Sequence, residues 1–292
     1  MSMNLDWALF RTLLAVLDEG SLSAAARKLD LTQPTVARHV DALEAALGAD
    51  LFLRSQRGLE PTDLARSICP HARTMATAAG ALLRTASGMP GAVAGTVRIS
   101  ASEVVGVRHI PPILAQLRQD HPALTIELSL SDKVDNLLTR EADIAVRMTE
   151  PTQGALLARR LPPVELGFHA RRDYLERRGT PATTADLSAH DLIGYDVETP
   201  ALRAMLARLS PLTRQAFALR TDSNLAQLAA IQTGFGIGLC QVAIARHDPT
   251  LVRVIPDVAL ALPLWVVMHE DLKTSGRYRV VFDALSAGLT LF

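Results

Sequence analysis

Residues 20–57 read GSLSAAARKLDLTQPTVARHVDALEAALGADLFLRSQR, and the punctuation of this stretch restricts the fold more than any other feature of the chain. Ahead of it, Trp7, Phe10, Leu14 and Leu17 recur at three-and-four spacing and predict an amphipathic helix from about Asp6 to Glu19, ended by Gly20. A short second helix, Ala24 to Leu29, is expected next, capped by Ser21 or Ser23 and made of small alanines that let another helix approach closely. After the turn Asp30-Leu31-Thr32, a third helix starts with Thr32 as cap and Pro34 in its first turn, where a missing amide costs nothing. It runs to about Leu47, and Gly48 stops it.

The third helix has two faces. Val36, Val40, Leu43 and Leu47 form a stripe for burial, while Gln33, Thr35, Arg38 and His39 lie on or near its amino-terminal exposed side. Helix-turn-helix proteins present this part of their second motif helix to base edges: Gln pairs with adenine, Arg with guanine or phosphate, and Thr meets a thymine methyl. LFLRSQRGLE then reads as strand, turn at Arg57-Gly58 and return strand, a wing carrying Arg54 and Arg57 toward the phosphate backbone. Spacing alone leaves a second reading open, since any three-helix cluster has an exposed polar face.

The pattern GS-L-S-AA-A-LDLTQPTV-R-V-ALE-LG-LF-R resembles the amino-terminal winged helix-turn-helix of LysR-type transcriptional regulators, and the similarity extends over the whole chain. Gln33-Pro34, Leu43-Glu44, Gly48 and Leu51-Phe52 with Arg54 fall where that family has them. The resemblance implies DNA contacts from Ser23, Thr32, Gln33, Pro34, Thr35, Arg38, His39, Arg54 and Arg57, with double-stranded promoter DNA as partner. Two departures, Ala37 where many members have Ser and His39 where Gln is frequent, lie on the reading helix and bear on site preference.

Charge does not favour nucleic acid: Lys+Arg and Asp+Glu both total 30, whereas many nucleic-acid binders are basic. Any DNA affinity must therefore come from the placement of cations on one face and from doubling of contacts in a dimer. TDLARSICPHARTMATAAGALLRTAS, residues 62–87, suits a long alanine-rich helix with Pro70 bending it or loosening one turn. Its stripe of Leu64, Ile68, Met75, Leu82 and Leu83 needs a cover, either its own domain or a second copy. The resemblance makes it the linker and dimerisation helix, giving a homodimer and, as a further expectation, a dimer of dimers. Met89-Pro90-Gly91 marks the boundary beyond it.

Residues 92–292 alternate strand and helix signals: VRISAS, VRHIPPILAQLRQD, LTIELSL, DKVDNLLTRE, DIAVRM and a strand near ALLARRL, then a second set from VELGFHA to LVRVI, and finally LPLWVVMHE with a helix from Gly276 to Leu289. This is the rhythm of a parallel sheet covered by helices. Two α/β lobes joined by crossings near Leu161-Pro162-Pro163 and Leu262-Pro263 would resemble a periplasmic-binding-protein arrangement, as the regulatory part of LysR-type proteins does. The expected fold class is α+β multidomain: a winged helix-turn-helix over 1–61, a linker helix over 62–90, and a two-lobe α/β periplasmic-binding-protein-like effector domain over 91–292. Lobe one takes about 91–162 and 264–292, and lobe two about 163–263.

Ligands of open α/β sheets sit at carboxyl ends of strands, beside helix N-termini. Ser100, Ala101 and Ser102 follow the first strand of lobe one; Thr221, Asp222, Ser223 and Asn224 follow a strand of lobe two and open a helix. Singly, these residues read as helix caps; in the family pattern they are facing walls of the cleft. Arg147, in DIAVRM, offers a positive side chain from the end of another lobe-one strand, with Glu103 nearby to oppose an anion.

Signals of catalysis are missing: there is no GxSxG, HExxH or GxxxxGK[ST]. Gly234-Phe-Gly236-Ile-Gly238 follows a helix and precedes a strand, the reverse of a dinucleotide fingerprint, and reads as a close turn. Cys69 and Cys240 have no CxxC or His pattern, and the histidines are scattered, so no metal and no cofactor is expected. Without a run of roughly 18 apolar residues or a secretory leader, the expected place is the cytoplasm, with no membrane partner. The expected function is a sequence-specific, DNA-binding transcriptional regulator controlled by a small-molecule effector between the lobes. The alternative is a small-molecule binding protein whose N-terminal helices mediate assembly only; an α/β enzyme comes third.

Overall fold

The computed structural model describes residues 5–55, 58–86, 93–132, 142–151, 156–199, 202–204 and 212–290. The chain divides into two compact units, the first reaching Ala86. In that unit α1 spans Trp7–Glu19, α2 Leu22–Leu29 and α3 Gln33–Leu47. Asp6 caps α1 by accepting from Ala8 N at 2.9 Å, and Gly20, at φ 71°, ends it in the left-handed region. α2 starts two residues before the sequence places it, because Ser21 accepts from Ala24 N at 3.2 Å and so settles the choice of cap. Ser23 thus lies inside the helix with its hydroxyl free for other work. Thr32 caps α3, and Gly48, at φ 70°, closes it.

Leu13 and Val16 of α1, Ala25 of α2, Val36 and Leu43 of α3, and Leu51 form the core of this unit, each at most 1% exposed. A methyl group at position 25 lets α2 sit close on its neighbours. The wing is an antiparallel hairpin, β1 (Phe52–Ser55) with β2 (Gly58–Pro61), in the register Phe52 to Pro61 and Arg54 to Leu59. Glu44 ties it to α3: its Oε1 accepts from Leu51 N at 2.7 Å and from Phe52 N at 3.2 Å. α4 (Asp63–Ala86) then runs unbroken through Pro70. The expected loosening there does not break the helix, although Pro70 withholds one amide from the ladder.

In the second unit, β3 (Gly95–Ala101) lies between β4 (Leu124–Leu130) and β5 (Ile144–Arg147), parallel to both. β11 (Leu260–His269) is antiparallel to β5 and to β6 (Leu156–Arg171). At its far end β6 pairs antiparallel with β9 (Gly238–Gln241) and β10 (Leu251–Arg253). β7 (Leu192–Gly194) and β8 (Phe217–Arg220) make a separate parallel pair. The helices are α5 (Glu103–Arg108), α6 (Ile110–Asp120), α7 (Arg172–Arg178), α8 (Asn224–Gln232), α9 (Val242–Arg246) and α10 (Gly276–Gly288).

The sheet corrects two expectations. It is mixed, since only β3, β4 and β5 keep the parallel order. The stretches ALLARRL and VELGFHA are one 16-residue strand rather than two. Pro162 and Pro163 lie within it because the register shifts opposite them: Leu161 faces Leu264 and Val164 faces Leu262, so two prolines oppose Pro263 alone. A bulge of this kind asks no ladder bond of residues that lack an N–H. β6 and β11 therefore carry the sheet from one lobe to the other as a two-strand ribbon.

Lobe one packs Val97, Ile99, Ile144, Val266, Tyr278 and Phe282 around one core, and lobe two packs Phe168, Leu187, Leu192, Phe217 and Ile237 around another. Gly236 serves the second core: a Cβ there would lie 1.9 Å from the carbonyl oxygen of Asp191, which accepts from Ile237 N at 2.9 Å. The glycine-rich phrase is thus a close turn, as its order in the chain suggests. Arg57, Met89–Gly91 and, apart from Asp132, the helix expected over DKVDNLLTRE lie outside the described residues.

Candidate nucleic-acid interface and ligand cleft

The first turns of α3 carry the polar set. Gln33 and Pro34 are exposed, as is Arg38, and Thr35 is half-buried. Thr32 Oγ1 accepts from Thr35 N at 3.4 Å and shares a 2.8 Å hydrogen bond with Thr35 Oγ1. Ser23 Oγ donates to Gln33 Oε1 at 3.1 Å. That bond fixes the amide and leaves its NH₂ pointing elsewhere, a donor ready for an acceptor such as a base edge.

His39 is placed differently from its neighbours. Its Nδ1 lies 2.9 Å from Thr12 Oγ1, and Thr12 Oγ1 already donates its proton to Ala8 O at 2.9 Å. With that proton committed, the imidazole must be the donor, so Nδ1 carries the hydrogen and His39 ties α3 to α1. Arg54 stands in β1 opposite Leu59.

Elsewhere in this unit Lys28, Arg66 and Arg73 are paired with carboxylates, while Arg11 and Arg27 are exposed without an ion pair among the described residues. Lys28 Nζ lies 2.9 Å from Glu19 and 3.6 Å from Asp18, its pKa raised first by the Glu19 hydrogen bond. Arg73 also pairs with Asp18. Arg38 has no ion pair among the described residues, which gives the end of α3 a free positive charge despite the neutral total.

In the second unit the residues singled out from sequence converge. Ser100 and Ala101 are the last residues of β3 rather than following it, Ser102 is the N-cap of α5, and Arg147 ends β5. Arg147 Nη2 donates to Ser100 Oγ at 2.6 Å, and Nη1 to Val146 O at 3.2 Å. The guanidinium is buried, has no carboxylate within ion-pair distance among the described residues, and keeps Nε unpaired; burial lowers its pKa. Ser102 Oγ is likewise buried without a partner, and Asp132 Oδ1 accepts from the first amide of α5, Glu103 N, at 3.0 Å.

Facing them, Ser223 caps α8 and Asn224 begins it. Ser223 Oγ donates to Glu103 Oε2 at 3.2 Å, and Asn224 Nδ2 to Asp132 Oδ2 at 2.7 Å. Tyr195, its pKa pushed up to about 12 by burial and then by the Asp132 and Asp222 carboxylates, donates to Asn224 Oδ1 at 2.7 Å. Asp222 is turned away: its Oδ1 accepts from Asp196 N and Val197 N and holds that loop. Sequence reasoning missed Asp132 and Tyr195, which sit in a loop and at a strand end with no motif around them. It placed Glu103 only as a source of repulsion, whereas its carboxylate is a cross-lobe acceptor.

No group of three or more His, Cys, Asp or Glu among the described residues could hold a metal. Cys240 is buried and its pKa is pushed up to about 12, first by burial, so its thiol stays protonated and unreactive near neutrality. No helix among the described residues is long and apolar enough to cross a membrane.

A winged helix-turn-helix and a two-lobed sheet unit with a polar cleft, joined in one chain, define the class of effector-responsive DNA-binding regulators. The family described as "Bacterial regulatory helix-turn-helix protein, lysR family" matches residues 7–66, and "LysR substrate binding domain" matches residues 90–290. The probable HTH-type transcriptional regulator LtrA of Klebsiella pneumoniae is 30% identical over 298 aligned positions, covering 98% of this chain and 95% of that protein. CbnR, a LysR family transcriptional regulator, is similar in structure with a TM-score of 0.69 at 19% identity, covering 97% of this chain and 99% of that one. CrgA of Neisseria meningitidis gives 0.61 at 23%, covering 98% and 99%. The chain belongs to the LysR family of transcriptional regulators.

Proposed function

We propose that this regulator reads promoter DNA through the amino-terminal part of α3 and the wing, under control of a small molecule held between the lobes of its second unit. The observation that carries the DNA reading is the exposed set at the start of α3: Gln33 with its amide oriented by Ser23, and Arg38 with no competing carboxylate. Thr32, Pro34 and Thr35 set the helix start that presents them. Arg54 and Arg57 are assigned to phosphate contacts, and His39 to holding α3 on α1, with its Nε2 left to face DNA.

The domains proposed are 1–61 for DNA, 62–90 for the linker helix and 91–292 for the effector. Leu82 and Leu83 are each 67% exposed on α4 and Met75 is 43% exposed. A second copy laid along this stripe would bury them, and we assign the homodimer to it, with pairing of dimers beyond. The protein is assigned to the cytoplasm, where its operator is.

The effector is assigned to Ser100, Ala101, Ser102, Arg147, Ser223 and Asn224. Two buried polar atoms without partners, Ser102 Oγ and Arg147 Nε, ask for an acceptor that a ligand oxygen supplies. The Ser223–Glu103 and Asn224–Asp132 bonds hold the lobes together without ligand, so a ligand that replaces them biases the lobe arrangement. Differential affinity for the two arrangements is what couples effector to DNA.

The test is binding of the purified protein to the DNA upstream of its own gene and to random DNA over a range of salt. Preference for its own region is expected, with Arg38→Ala weakening binding and reducing the slope of log K against log salt by about 1. Equal affinity for both DNAs at every salt concentration would overturn the reading.

A further inference from the structure

The cleft between the lobes holds both signs of charge in unequal amounts. On the lobe-one side the Arg147 guanidinium is buried, and its Nε has no partner. Two hydrogen bonds, to Ser100 Oγ and Val146 O, engage two of its five N–H groups. Ser102, 5% exposed, keeps an unpartnered hydroxyl two residues beyond Ser100. Glu103 comes next in the chain, and its amide donates to Asp132 Oδ1 at 3.0 Å, so two carboxylates stand beside one guanidinium. Burial lowers the Arg147 pKa and the Asp132 charge raises it in part, so these two groups feel each other without forming an ion pair.

Only neutral donors serve the carboxylates. Glu103 Oε2 accepts from Ser223 Oγ, and Asp132 Oδ2 from Asn224 Nδ2. Among the described residues neither acid has an ion pair, and Glu103 Oε1 has no hydrogen bond. A simple anion would satisfy Arg147 and Ser102 but meet two carboxylates; a simple cation would satisfy Glu103 and Asp132 but meet the guanidinium. A molecule that carries both charges answers both. Its carboxylate takes Arg147 Nε and Ser102 Oγ, and its ammonium takes Glu103 Oε1 and the spare lone pairs of Asp132. The span is short, because Ser100, which holds Arg147, is three residues from Glu103, roughly 10 Å of chain at most. That suits charges on neighbouring carbons, as in an α-amino acid.

We propose that the effector of this regulator is an α-amino acid, bound as the zwitterion with its carboxylate on Arg147 and Ser102 and its ammonium on Glu103 and Asp132. This rests on the assignment of the effector to the inter-lobe cleft and deepens it. Glu103 opposes an anion only until the same molecule brings it a cation. The ammonium competes with the Ser223 hydroxyl and the Asn224 amide for the two carboxylates, so the occupant exchanges direct bonds between the lobes for bonds to itself.

Isothermal titration of the full chain with the proteinogenic L-amino acids, one at a time, tests the proposal. Any that binds is followed by its des-amino acid, which keeps the carboxylate and lacks the ammonium. Saturable binding at one site per chain is expected, about tenfold or more weaker for the des-amino acid and about tenfold weaker for the amino acid in Glu103→Gln. The same variant should tighten the des-amino acid, because a repelling charge is gone; a merely structural role of Glu103 would not reverse the sign. Arg147→Met should abolish binding of both, and Glu103→Gln keeps an amide oxygen and the backbone N–H, so it remains interpretable if the methionine variant does not fold. Absence of saturable binding by every amino acid up to about 10 mM overturns the proposal. Equal affinity for an amino acid and its des-amino acid, lost in Arg147→Met, overturns the zwitterion and leaves the cleft assignment standing. Binding unchanged in both variants overturns the two together.

Discussion

Arg147 and Ser100 are joined by a 2.6 Å hydrogen bond between two buried side chains, and among the described residues no carboxylate reaches the guanidinium. Burying an ion without a counter-charge costs several kcal/mol, so the site carries a cost that an anionic or acceptor ligand would offset. Arg147→Met should therefore leave the melting temperature unchanged or raise it, while abolishing the ligand-dependent part of a promoter-reporter response. Thermal denaturation and the reporter assay check this together; a large loss of stability would mean that Arg147 is a structural group.

Glu44 gives the wing its anchor, and the effect is local. Glu44→Ala removes the acceptor for Leu51 N and Phe52 N, with Leu51 fully buried, and should cost about 1–3 kcal/mol. Glu44→Gln keeps an amide oxygen and should cost less. Hydrogen exchange of the peptide covering residues 51–61 should speed up in the alanine variant; unchanged protection would show that the hairpin does not depend on this carboxylate.

Gly236 leaves no room for a side chain, since its added Cβ would strike the Asp191 carbonyl, a backbone atom that cannot swing aside. Gly236→Ala should destabilise the second unit by about 3 kcal/mol or more. A melting transition within a degree or two of the parent would contradict the tight turn.

Two buried histidines make the second unit sensitive to acid. Burial lowers the pKa of His109 and of His169, whose Nδ1 donates to Gly167 O at 2.9 Å. Between each lowered folded value and the unfolded value of about 6.5, the unfolded chain binds more protons, so stability rises with pH in that window. The contribution is complete above pH 6.5 and is lost as pH falls through the folded values. Asp186 and Asp248, whose pKa values are lowered chiefly by hydrogen bonds from Thr183 and Thr250, act in the same direction only below about pH 4. Urea midpoints should fall from pH 7.5 to 5.5, and His169→Gln should flatten that slope; midpoints that rise on acidification would refute it.

Local signals were legible where the chain interacts with itself over a few residues. Asp6, Ser21, Thr32, Gly20 and Gly48 set the helix ends of the first unit through caps and left-handed turns, which need no distant partner. The burial stripe of α3 followed from periodicity alone. Less legible was the strand through Pro162 and Pro163, because a pair of prolines reads as a break until its partner strand supplies a matching bulge at Pro263. His39 looked like a surface residue by position, yet a hydroxyl 27 residues earlier draws it onto α1.

By itself, then, the sequence determined the helix-turn-helix with its hairpin wing, the α4 helix, and the two families of strands and helices behind them. Caps, periodicity and turn residues act within one element, and the sequence carries them in plain order. The tertiary structure alone decided that Ser223 would meet Glu103 and Asn224 would meet Asp132, that Arg147 would be buried without a carboxylate among the described residues, and that Gln241 would face His109. These depend on which residues far apart in the chain share a low-dielectric space, and no spacing along the sequence encodes that.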